Sequence, residues 1–248
     1  MSLLVFRPAG SEPVEYTLRV STRAKYARLR MLPHAGLQVV VPGKGYSQKK
    51  IESLLLQHEA WIRKTAARME AHRPEPEPTH ENGMPVSLVF RHVPEEWHIL
   101  YRSDISRTKA DRPNMTLHLP APAADRERCR RLLLSWIRQR AAEELLPLLA
   151  SLAESRGFTC SGAGVRLMHS RWGSCSSRKL ISLNTKLLFL PGPLVHHILL
   201  HELCHTVHMD HSRSFRDLLR HHDPLSRLSD RDLKTAWKYV PEWISLQP

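Results

Sequence analysis

The chain has 248 residues, 42% hydrophobic and 25% charged, a composition typical of folded protein with length enough for one sizeable domain or two small ones. No apolar run reaches the 18 or so residues of a membrane span, and MSLLVFRPAGSEPVEY lacks a basic n-region and a cleavage segment, so a cytoplasmic protein is expected. The net charge of +13 admits a polyanionic partner, nucleic acid or nucleotide, and four cysteines without CxxC pairing are expected as reduced thiols.

The first forty residues alternate like strands, at about 15–20, 27–31 and 37–41, split by turn signals such as Pro33-His-Ala-Gly36. The period then changes: Ile51, Leu54, Leu55, His58, Ile62, Thr65, Ala66 and Met69 fall at helical spacing, with Ser47 as N-cap, which predicts one helix over 47–71. RPEPEPTHENG (73–83) ends it, because proline cannot continue a helix and alternating Glu-Pro favours an extended connection. Strands follow at 86–90, 97–101 and 116–119, with RSDISRTKADRPN (102–114) as a polar loop. Residues 124–156 carry the apolar stripe Leu132, Leu133, Trp136, Ile137, Ala141, Leu145, Leu148, Leu149 and Leu152. Pro147 is expected to kink or divide this helix and Gly157 to stop it. Strands are read at 164–168 and 180–184, around the loop HSRWGSCSSRK, before a helix from Leu194 to His208. No internal repeat is visible.

That last helix carries HELCHTVHMDHSRSF (201–215). In a chain with 16 histidines the HExxH letters alone are a weak signal, and context decides. His201 and His205 lie one turn apart and project from one face, while Leu199 and Leu203, flanked by Val195 and Val207, form an apolar back. Glu202 sits on the flank of the histidine face, badly angled for a ligand but placed to hydrogen-bond a water at the metal and take its proton. A catalytic zinc wants a third protein ligand, for which His208 and His211 compete. His208 lies about two turns from His201, whereas a helix ending near Met209-Asp210 lets the chain return with His211, so the spacing favours His211.

SRWGSCSSRKLISLN and HELCHTVHMDHSRSF, with YTLRVSTRAKYARLRM, GLQVVVP, HEAWIRK and LSWIRQRAAEELLPLLASLAESRGF in that order, resemble the YgjP-like metallopeptidase domain family, a relative of the SprT and WLM-type zincins. The resemblance spans nearly the whole chain. It implies an α+β fold: a zincin-like catalytic region of mixed sheet edge and active-site helix, preceded by a small β-rich region with one long helix. It also implies one zinc ion on His201, His205 and His211, Glu202 as catalytic base, and a strand around Leu180–Leu183 that lines the cleft and pairs with an extended substrate. On this reading residues 1–120 are the N-terminal region and 121–248 the metallopeptidase region.

Other residues carry weaker signals. Arg171 is a candidate to stabilise an oxyanion or hold a substrate carboxylate or phosphate. Gly173 suggests a tight turn and Trp172 a packing role. Cys175 and Cys204 read as non-catalytic, Asn184 as a strand-end hydrogen-bonder, and His221-His222 as a helix terminus. The expected activity is zinc-dependent hydrolysis of a protein or peptide. Hydrolysis of a nucleotide phosphoanhydride on the same site, and a nucleic-acid-associated protein, are the rival readings.

Overall fold

A computed structural model of the chain describes residues 3–8, 10, 12–32, 36–43, 46–73, 78–80 and 83–245. The turn expected at 33–36 and the connection at 73–83 fall largely outside them. The chain divides into two compact units, the first holding the residues up to Arg73 together with Ser245, the second the residues from 74 to 244. The boundary expected at 120 falls inside the second.

In the first unit β1 (Leu3–Phe6), β2 (Val14–Ser21), β3 (Arg28–Leu32) and β4 (Gly36–Pro42) form one sheet in the order β1-β2-β4-β3. The two outer pairings are antiparallel and β2 runs parallel to β4. Strand alternation puts Tyr16, Leu37, Val39 and Val41 on one face. Ile51 and Leu55 of α1 (Gln48–Gln57) and Ile62 of α2 (Glu59–Glu70) complete that core. Ser47 caps α1, its hydroxyl accepting from the N–H of Lys50. The single helix expected over 47–71 is two helices. At His58 (φ −111°, ψ 14°) the backbone leaves helical geometry, and its N–H donates to Leu55, three residues back. No proline or glycine marks that break.

The second unit opens with β5 (Ser87–Phe90), β6 (Glu95–Tyr101), β7 (Lys109–Asp111) and β8 (Thr116–Leu119), in the order β5-β6-β8-β7. Its pairings repeat those of the first sheet: antiparallel, parallel, antiparallel. A structural repeat is therefore present where the sequence shows none. β7 lies in the stretch read as a loop, since Lys-Ala-Asp has no alternation to reveal it.

α3 (Arg126–Arg156) runs unbroken through Pro147, contrary to the division expected there. Buried Leu145 and Leu149 continue the apolar stripe on both sides of the proline, and packing outweighs its lost hydrogen bond. Asp125 caps the start, and Gly157, in the left-handed region (φ 72°), ends the helix as expected. Trp136 packs on Phe90 and Trp97, and buried Arg140 pairs with Glu95 and Glu144.

A three-stranded sheet follows: β9 (Gly162–Arg166), β10 (Gly173–Cys175) and β11 (Leu180–Asn184), in the order β10-β11-β9. β11 is thus the central strand, antiparallel to β10 and parallel to β9. It has no free edge for a substrate strand, which corrects the expectation that residues 180–183 pair with one. A buried 3-10 turn (Thr185–Phe189) leads to α4 (Gly192–Cys204), α5 (Arg213–His222), α6 (Ser226–Leu233) and the short α7 (Glu242–Ser245). α4 lies against α3, α5, α6 and β10. The fold is α+β throughout.

Candidate metal centre

α4 starts at Pro191-Gly192-Pro193, where proline's fixed φ suits a first turn that needs no N–H partner. Leu199, Leu200, Leu203 and Cys204 are fully buried and anchor the helix. The helix ends at Cys204, earlier than the sequence suggests. His205 is its C-cap, and the next two N–H groups bond three residues back, Thr206 to Leu203 and Val207 to Cys204. The hydroxyl of Thr206 also donates to Leu203 at 2.7 Å. Val207 is consequently exposed and no part of the apolar back.

The early end lets the chain turn back. Asp210 accepts from the N–H of Ser212, Ser212 caps α5, and Arg216 holds the carbonyl of His211 at 2.9 Å. His211 is thereby brought over α4. Nε2 of His201 lies 3.2 Å from Nε2 of His205 and 3.3 Å from Nε2 of His211. One donor atom from each of the three lies within 4.8 Å of the others. Bonds of about 2.0–2.1 Å to a tetrahedral zinc put neighbouring nitrogens about 3.4 Å apart, so the two short separations fit such an ion.

Protonation fits as well. The carbonyl of His208 can only accept, so Nδ1 of His205 carries the proton at 2.9 Å from it, and Nε2 keeps its lone pair. His208 thus serves the site through its backbone. Burial, with the neighbouring His205, His211 and His197, pushes His201 down to about 3, in the neutral form that binds metals. Phe215, buried on α5, packs on all three rings at centroid distances of 4.9, 4.5 and 5.0 Å. Nothing in the local spacing singled it out.

Glu202 is 6% exposed, and its Oε2 is buried without a hydrogen-bond partner among the described residues. Desolvation pushes the carboxyl up to about 7, with the charge of Arg171 acting in the opposite direction. The Arg171 side chain is exposed. Gly173 has no left-handed backbone, which overturns its reading as a tight-turn glycine. A Cβ built there would lie 2.6 to 2.8 Å from Oε1, Cγ and Cδ of Glu202.

Asn184 is fully buried, and its side chain donates to the carbonyls of Met168 (3.0 Å) and Arg171 (2.6 Å). It is a strand-end hydrogen-bonder, as the sequence suggested, and it fixes the approach to β10. Trp172 stacks on Trp237 at 4.0 Å, with the ammonium of buried Lys186 5.1 Å from the Trp237 ring centroid. Behind the triad, buried His197 is held by Asp223 (2.6 Å) and Asp230 (3.2 Å), which ties α4 to the elements that follow. All four cysteines are free thiols, and burial pushes Cys204 up to about 12.

Among the described residues no helix is long and apolar enough to cross a membrane. A family model described as "YgjP-like, metallopeptidase domain" matches residues 25–236, a span that holds the histidine triad, Glu202 and Arg171. No curated protein and no solved structure gives a match.

Proposed function

The chain belongs to the YgjP-like metallopeptidase domain family, and from that premise we propose a zinc peptidase in which His201, His205 and His211 hold one ion and Glu202 is the general base. The observation that carries this reading is the convergence of three imidazole nitrogens, with Glu202 next to His201 on α4 and its buried Oε2 without a hydrogen-bond partner among the described residues. Zinc bound there would supply a polarised carbonyl and water with a pKa near 7.

The protein's own groups do the rest. A carboxyl raised to about 7 can take a proton from water near neutral pH and return it to the leaving amine. The guanidinium of Arg171, whose charge reaches Glu202, is assigned to the developing oxyanion or to a substrate carboxylate. β10 has only β11 as a strand partner among the described residues, so an extended peptide would add at its outer edge.

The test is Glu202→Gln in the full chain reconstituted with zinc. Metal content should equal that of the parent, while hydrolysis of an unstructured protein falls at least about 100-fold. Parent-like turnover would remove Glu202 from its role. The same preparation is assayed on nucleoside triphosphates, and their hydrolysis without proteolysis would overturn the peptide-bond assignment.

A further inference from the structure

We propose that Gly173 is a positioning residue: its missing side chain leaves the space in which the Glu202 carboxylate is fixed against β10. The inference rests on the reading of Glu202 as base, but part of its test does not depend on activity.

Two observations carry it. First, the space is filled: a Cβ at residue 173 would approach three Glu202 side-chain atoms to 2.6–2.8 Å, closer than carbon and oxygen tolerate. The backbone at 173 does not occupy the left-handed region, so conformational freedom is not what glycine supplies here. Close approach is. Second, neither wall can step back. β10 is paired to β11 through Gly173 and Leu183, and the N–H of Asn184 donates to Trp172 at 2.9 Å. The Asn184 amide grips the carbonyl of Arg171, and the Trp172 ring is stacked on Trp237. On the other side α4 is wedged among α3, α5, α6 and β10 with Leu199 and Leu203 fully buried. A methyl group at 173 can therefore be accommodated only by the Glu202 side chain swinging to another rotamer. The helix, the histidines and the metal site stay as they are.

Gly173 thus acts on the reaction through the position of the Glu202 carboxylate, apart from any substrate contact made by Arg171 or the edge of β10. A carboxylate displaced by about 1 Å is enough to cost on the order of 100-fold in turnover.

The experiment is Gly173→Ala in the full chain, alone and combined with Glu202→Gln. Zinc per chain should match the parent, KM should stay within about threefold, and kcat should fall about 100-fold. In the Glu202→Gln background the same change should cost less than about threefold, because the group it displaces no longer acts. An equal loss in both backgrounds would overturn the proposal, since it would mean that Gly173 serves the strand or the substrate instead. So would unchanged kcat. A crystal structure of Gly173→Ala supplies the activity-independent arm: Glu202 should occupy a different rotamer, and its retention in place sinks the idea even if the protein proves not to be a peptidase. Should Gly173→Ala fail to fold, the double variant with Glu202→Ala, which empties the contested space, should fold; failure of both overturns the proposal.

Discussion

His205 divides its ring between two tasks. Nδ1 donates to the carbonyl of His208 at 2.9 Å, and that bond fixes the tautomer that leaves Nε2 free beside His201. His208 sits in the same histidine-rich run, yet its backbone, not its imidazole, is what the site uses. Phe215 completes the arrangement as an apolar floor, its ring nearly parallel to His205 and edge-on to the other two. An apolar wall of this kind restricts ring rotation and excludes water, both of which favour a fixed ligand geometry. Phe215→Ala should accordingly weaken zinc binding by about 10- to 100-fold while leaving all three histidines in place. Competition with a chelator of known affinity measures it. An affinity equal to that of the parent would show that the ring is only core.

At the scale of elements, the end of α4 and the turn before it matter most. The sequence predicts a helix to His208, and the structure stops it at Cys204, where three-residue hydrogen bonds and the Thr206 hydroxyl take the last carbonyls. Helix periodicity is legible in the residues, but its end here is decided by local hydrogen bonds that spacing does not reveal. The same holds for α3, where a proline that should interrupt the helix is overridden by a continuous buried stripe. The 3-10 turn after β11 buries a lysine: Lys186 is 1% exposed, and desolvation, with Arg130 adding, pushes it down to about 8. A lysine whose folded value lies below its unfolded one penalises the fold when charged. That penalty is full below about pH 8 and fades as pH rises toward the unfolded value near 10.4. Stability of the parent relative to Lys186→Met should therefore increase between pH 8 and about 10.4, as read by denaturant unfolding of both proteins. A difference independent of pH over that range would show that the amine is not desolvated in the fold.

For the molecule as a whole, the legible part of the site is the part that is local. His201, Glu202, His205 and His211 fall within eleven consecutive residues, so helical geometry and one chain reversal are enough to find them. Gly173, Asn184 and Trp237 reach the same region from separate segments, and no short-range pattern connects them; Phe215 follows His211 closely but is not a metal-ligand type, so spacing alone gives it no role. Sheet order was hidden for a related reason. Alternation shows which residues are strands but not which strand lies in the middle, so neither the central place of β11 nor the matching order of the first two sheets is visible in it. The proposed chemistry needs one zinc ion per chain. Elemental analysis of the reconstituted parent and of the single variants His205→Ala, His211→Ala and His208→Ala tests this most directly. The parent and His208→Ala should each carry about one zinc per chain, and the other two variants should lose most of theirs. A parent that holds no stoichiometric zinc, or a His211→Ala protein that binds it as the parent does, would contradict it.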